Sequence, residues 1–79
     1  MKIEVRLFAN FREYLPKDSD RFSCKLELAE GARISDLLGH LKIPAKAGKI
    51  ILLNTGPGRE EDLLKDGDVV GIFPPIAGG

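Results

Sequence analysis

The sequence has few of the residues from which catalytic and metal sites are built. Its 79 residues include one cysteine, one histidine and no tryptophan. A single cysteine excludes an internal disulfide and a cysteine metal cluster. His40 has no second ligand-type residue at metal spacing, so we expect a surface histidine and no metal site. The sequence also offers no Ser/His/Asp set and no paired carboxylates, and we expect that the chain is not an enzyme on its own.

A net charge and a long apolar run are also absent. The 12 basic and 12 acidic residues cancel and are interleaved along the chain. This pattern leaves no basic footprint for nucleic acid or anionic lipid. No apolar run approaches the roughly 20 residues that span a membrane, and Met1-Lys2 leads straight into a strand pattern without a signal peptide. We expect a cytoplasmic protein with no nucleic-acid or membrane partner.

The chain is long enough for one domain, expected at residues 1–73, followed by an extended tail at 74–79. Alternation in the first strand places Ile3, Val5 and Leu7 inward. The apolar run at 49–53 predicts a strand covered by a helix. The predicted strands are 2–8, 21–28, 49–53 and 68–73.

Two helical segments are predicted between the strands. Asn10, three residues before Glu13, has capping-box spacing and predicts a short helical turn. A single amphipathic helix follows from an apolar stripe at i, i+3, i+4 and i+7. Gly39 inside that helix suggests a close-approach site, since glycine costs helix stability. The stripe consists of Ile34, Leu37, Leu38 and Leu41.

Cys24 lies in the second strand pattern, where alternation places it on one face with Phe22, Leu26 and Leu28. A buried cysteine behaves as a small apolar residue with an inert thiol. We expect this role for Cys24.

Acidic residues are concentrated in one segment, shortly before the tail. Only two basic residues, Arg59 and Lys65, lie among them. Such an acidic segment is typical either of a solvated turn or of an acidic rim that meets a basic partner. The preceding Gly56-Pro57-Gly58 lacks the Gly-Lys-Ser/Thr ending of a phosphate-binding loop. The acidic residues are Glu60, Glu61, Asp62, Asp66 and Asp68.

The C-terminal stretch is Phe73-Pro74-Pro75-Ile76-Ala77-Gly78-Gly79. Two prolines donate no backbone hydrogen bonds and disfavour helix before them, so the chain leaves its last strand extended. Gly78 and Gly79 carry no Cβ, which lets another protein close around the terminal carboxylate. Activation as an acyl-adenylate would make that carbonyl a target for sulfur or an amine. Two terminal glycines alone are a weak signal, because many chain ends are disordered tails.

The tail and several segments before it together resemble the MoaD/ThiS family of ubiquitin-like sulfur carriers. Within that family, the resemblance is to the MoaD proteins. The resemblance covers nearly the whole chain and implies an α+β, β-grasp (ubiquitin-like) fold. That fold has a mixed four- to five-stranded sheet, one main helix, and parallel first and last strands at its centre. The chain departs from the family at Arg33, where relatives usually carry Thr or Ser, and Ser35 is the expected substitute cap. The matching segments are Val5–Ala9, Glu30-Gly31, Leu37-Leu38, Leu53-Asn54, Lys65–Val70 and the tail.

The resemblance also implies a function. An ATP-dependent adenylyltransferase partner would adenylate Gly79 and a sulfur donor would convert it to a glycyl thiocarboxylate. The chain would then donate sulfur to a pterin precursor as the small subunit of molybdopterin synthase, in a heterotetramer with the large subunit, and would bind no cofactor itself. The candidates for docking contacts with the partner proteins are Phe8, Phe73, Pro74, Pro75, Ile76, Ala77 and Gly78. For Phe8 and Phe73, a role in the core is an equal alternative.

Three other functions are compatible with this sequence. Sulfur carriers for the thiamine thiazole share the fold and the Gly-Gly end, but usually lack the Phe-Pro-Pro lead-in. A ubiquitin-like protein modifier would form isopeptide bonds with lysines through Gly79. An interaction module of the same fold would use no terminal chemistry.

Overall fold

The protein is built around a five-stranded mixed sheet, seen in a computed structural model that describes residues 1–75. The elements are β1 (Lys2–Leu7), a 3-10 helix (Ala9–Tyr14), β2 (Ser23–Glu27), α1 (Ile34–His40), β3 (Ile50–Leu53), β4 (Gly56–Pro57) and β5 (Val69–Phe73). The sheet order is β2-β1-β5-β3-β4, with β1 and β5 parallel at the centre and the other neighbours antiparallel. This arrangement confirms the expected β-grasp fold.

One apolar cluster forms the core, and both predicted periodicities contribute to it. The inward residues of β1 are fully buried, and so are Val70 and Ile72 of β5. The four residues of the α1 stripe are buried in the same cluster. Burial of each large aliphatic side chain contributes about 1.5–3 kcal/mol, so this cluster is the main stabilising feature of the domain.

The first helical segment is present, but its predicted cap is wrong. The 3-10 helix begins at Ala9, and Phe8 stands at its N-cap position without a side-chain cap. Ala9 has a φ of 54°, which turns the chain directly after Phe8. Asn10 therefore lies inside the helix, where its side chain cannot cap the first turn.

Arg33 occupies the N-cap position of α1, and Ser35 does not replace the missing cap. Backbone carbonyls of residues 60–62 accept from Ile34 N–H at 3.0 Å, from Ser35 N–H at 2.8 Å and from the Arg33 guanidinium at 2.6 Å. The Arg33 backbone N–H donates to the Asp36 carboxylate at 2.8 Å. The free N–H groups of the helix start are thus satisfied by a distant loop.

The close-approach glycine is Gly58 and not Gly39. A Cβ added at Gly39 would meet nothing within 4 Å, so that expectation is wrong. A Cβ at Gly58 would lie 3.1–3.2 Å from side-chain atoms of Ile51, Ile34 and Leu53. Gly58, directly after β4, therefore packs closely on the core, and a side chain there would have to displace its neighbours.

The end of α1 is a Schellman motif with a lysine at its left-handed position. Lys42 has a φ of 62°. Its N–H donates to Gly39 O at 3.1 Å, and Ile43 N–H donates to Leu38 O at 3.0 Å. Glycine is the usual residue at this position, because its missing Cβ removes the steric cost.

Lys42→Gly is therefore expected to raise the free energy of unfolding by about 1 kcal/mol. Urea denaturation of both proteins measures the difference. Lys46→Gly is the matched control, because Lys46 is exposed and has no positive φ. An equal effect of the two changes would contradict the assignment of strain to Lys42.

Candidate functional site

The tail begins where β5 ends. On the β1 side of this end, Phe8 N–H donates to Ile72 O at 3.1 Å, and on the β3 side Phe73 pairs with Ile50. Pro74 and Pro75 follow Phe73, and neither can donate to a neighbouring strand. Pro74 is half-buried and Pro75 is exposed. The predicted site residues Ile76, Ala77, Gly78 and Gly79 lie outside the described residues.

Three phenylalanine rings stack beside the start of the tail. Phe8 and Phe73 have ring centroids 4.4 Å apart with planes at 9°, and Phe22 lies 5.4 Å from Phe8 on its other side. Ile72 is fully buried. Since successive side chains of a strand point to opposite faces, Phe73 lies on the face away from the core. Phe8 and Phe73 are half-buried surface residues, and a core role for them is excluded.

β3 extends this apolar surface across the sheet. Ile50 pairs with Phe73 and is 41% exposed, and Leu52 pairs with Gly71 and is 37% exposed. The predicted strand is present, and Ile51 is buried in the same cluster as the α1 stripe, but the opposite face of β3 is apolar and exposed. We call Phe8, Phe22, Ile50, Leu52 and Phe73 the outer face. Contiguous exposed apolar side chains of this kind mark an interaction site.

Two residues of the acidic segment, Asp66 and Asp68, lie at the other end of β5 from the tail. Lys2 N–H donates to the Asp66 carboxylate at 2.6 Å, and Glu4 N–H donates to Asp68 O at 2.9 Å. Both contacts are at the start of β1, whereas Phe73 is at the end of the parallel strand β5. Five strand residues span about 13 Å, so proximity in sequence does not place these two carboxylates beside the tail.

Cys24 is half-buried and not fully buried as expected. It pairs with Val5 on the core side of β2, which is separated from β5 by β1. Phe22, expected on the same face, lies before β2 begins and stacks on Phe8 instead. Burial raises the pKa of the Cys24 thiol, and a hydrogen bond with Ser19 opposes this rise. A raised pKa leaves less of the reactive thiolate at neutral pH.

Cys24→Ser is expected to leave sulfur transfer unchanged, because the thiol lies two strands away from the tail and is protonated. Intact-mass analysis after incubation with the activating components measures the sulfur carried. Iodoacetamide reacts with the thiolate, so the rate of labelling follows the ionisation of Cys24 and tests its pKa. In the folded wild type, the labelling rate should still rise with pH in a range where the thiol of the unfolded chain is already ionised. Loss of transfer in folded Cys24→Ser would contradict this assignment.

Within residues 1–75, no group of three His, Cys, Asp or Glu side chains is placed to hold a metal ion. His40 is exposed, as predicted. In the same residues, no helix is both long and apolar enough to span a bilayer. A polar cleft between the 16–20 loop and β2 lies on the β2 edge, away from the tail.

Comparisons with known proteins agree with this geometry. The model of the ThiS family matches residues 5–79. The chain is 36% identical, over an 87-residue alignment covering all of both proteins, to a Chlamydomonas reinhardtii protein named molybdopterin synthase sulfur carrier subunit.

Two solved structures are similar along nearly the whole chain. One is a Pyrococcus furiosus protein named molybdopterin converting factor, subunit 1, with a TM-score of 0.71 and 34% identity, covering 95% of this chain and 98% of that one. The other belongs to a Helicobacter pylori complex of subunits 1 and 2 of molybdopterin-converting factor, with a TM-score of 0.65 and 25% identity, covering all of both chains.

Proposed function

This chain belongs to the ThiS family, and from that premise we propose that it carries sulfur on Gly79 as the small subunit of a molybdopterin synthase. The observation that carries the proposal is the position of Phe73. Its ring belongs to the exposed outer face, and the residue after it begins the Gly-Gly tail. A partner that binds the outer face therefore also receives the tail. The 36% identity to a sulfur carrier subunit, over the full length of both proteins, also supports a sulfur-carrier function.

The chemistry takes place at the terminal carbonyl. The Gly79 carboxylate attacks the α-phosphate of ATP in the activating partner, which releases pyrophosphate and leaves an acyl-adenylate. Hydrosulfide attacks the acyl carbon, and AMP departs with its bonding electrons. The resulting thiocarboxylate sulfur attacks a carbon of the pterin precursor, and a C–S bond forms while an oxygen substituent of that carbon departs with its bonding electrons. Water then hydrolyses the thioester that forms, which leaves sulfur on the product and returns the Gly79 carboxylate.

The folded domain provides the surface that docks onto the partner proteins. The outer face supplies aromatic and aliphatic anchors of the kind that dominate binding energy at interfaces. The large synthase subunit is its proposed partner, and two copies of each subunit form the proposed heterotetramer. The Helicobacter pylori relative of this chain is found in a complex with subunit 2. The outer face also serves as the docking surface for the adenylating partner, which engages the same tail.

Intact-mass analysis tests the proposed function. The purified chain is incubated with ATP, a sulfide donor and an adenylating enzyme of the family's partner class. Replacement of one oxygen by sulfur at Gly79 is the expected result. Gly79-to-lysine adducts on other proteins would instead identify a modifier. Sulfur transfer to a thiazole precursor and not to a pterin would identify a thiamine carrier.

A further inference from the structure

A glycine in the connection between α1 and β3 faces the first residues of the tail. β3 and β5 are antiparallel with Ile50 opposite Phe73. The same register, continued by two residues, brings Gly48 opposite Pro75. A Cβ added at Gly48 would lie only 3.2 Å from Pro75 Cγ. The Pro75 ring would therefore have to move to make room for a side chain at position 48.

Neither the backbone nor the core requires glycine at this position. The left-handed glycines among the described residues are Gly31 and Gly67, so Gly48 has a backbone that other residues adopt. Gly48 is exposed and makes no close contact with the core. Its missing side chain matters for one neighbour, the Pro75 ring.

Two packing contacts hold the start of the tail where hydrogen bonds cannot. Phe73 is stacked on Phe8, and Pro75 rests against Gly48. The two prolines donate no hydrogen bond, so the ladder cannot align the chain beyond β5. Proline also fixes φ near −65°, and a displaced ring therefore redirects the residues that follow it. Four residues separate Pro75 from Gly79.

We propose that Gly48 is a positioning residue that sets the direction in which the tail leaves the domain. This inference rests on the proposed function, because its effect is read at Gly79. A side chain at position 48 displaces the Pro75 ring and with it the start of the tail, so the chain presents Gly79 less effectively to the activating partner. The five residues of the outer face are unchanged, so the docking contacts that they make are kept. Small misplacements of a reacting group produce large losses of rate.

The test compares Gly48→Val with wild type in ATP-dependent adenylation, followed as pyrophosphate release at increasing carrier concentration. The maximal rate is expected to fall about tenfold, while the half-saturating concentration and the Tm stay the same. Gly48→Ala should show a smaller loss. Gly56→Val is the matched control, since a Cβ at Gly56 meets nothing within 4 Å.

A double-mutant cycle identifies the route of the effect. In a Pro75→Ala background the opposing ring is gone, so Gly48→Val should cause no further loss of maximal rate. Equal maximal rates for wild type and Gly48→Val, or an undiminished loss in the Pro75→Ala background, would overturn this inference alone. A wild-type chain that is never adenylated would overturn the proposed function and this inference with it.

Discussion

Removal of Gly79 is expected to abolish sulfur transfer and leave the fold intact. The truncated chain ends at Gly78, one residue short of the position at which the activating partner must receive the carboxylate. A residue spans about 3.3 Å in extended chain, far more than the tolerance for attack on a phosphate. Sulfur incorporation, measured by intact mass, should fall below detection, whereas circular dichroism and the Tm should match wild type.

A chain with an amidated Gly79 is the control for length. It has every residue of the wild type but no free carboxylate, so it should also carry no sulfur. Full activity of the truncated chain would mean that the terminus does no chemistry and that the fold acts as an interaction module.

Ile50→Asp is expected to weaken binding to the large synthase subunit by at least about 30-fold, as for a binding hot spot. Ile50 lies on the outer face opposite Phe73 and is 41% exposed. An aspartate there must lose its hydration when the partner covers it, which is costly without a paired cation. Isothermal titration calorimetry measures the dissociation constant.

Leu63→Asp provides a matched control for this change. Leu63 is 53% exposed, and it bridges to Arg33 beside the start of α1, off the outer face. Its replacement should leave the dissociation constant within about twofold of wild type, as for exposed positions that a partner does not cover. Equal weakening by both variants would place the docking surface elsewhere.

Local patterns predicted the parts of the fold that depend on neighbours in sequence. Alternation placed Ile3, Val5 and Leu7 in the core, and the spacing of the α1 stripe placed that helix. Both periodicities reflect where successive side chains point, which the backbone geometry alone decides. The tail chemistry stays a prediction from the residue types at the end of the chain.

Apart from the Asn10 cap, the errors fall where distant segments meet. The start of α1 is capped by carbonyls of residues 60–62, a partnership that residue types near Arg33 do not reveal. β3 is apolar on both faces, so the residue types did not show which face is exposed. Ile50 and Ile51 are the same residue type, but Ile50 is exposed and Ile51 is buried.

The sequence by itself determined the strand and helix periodicities and the Gly78-Gly79 end, because each depends on local geometry or composition. The tertiary structure alone decided that Phe8, Phe22 and Phe73 stack beside the tail, that Asp66 and Asp68 lie at the far end of β5, and that Gly48 faces Pro75. The reason is that these relations depend on strand register and crossover, and register is set by pairing between segments that are far apart in sequence.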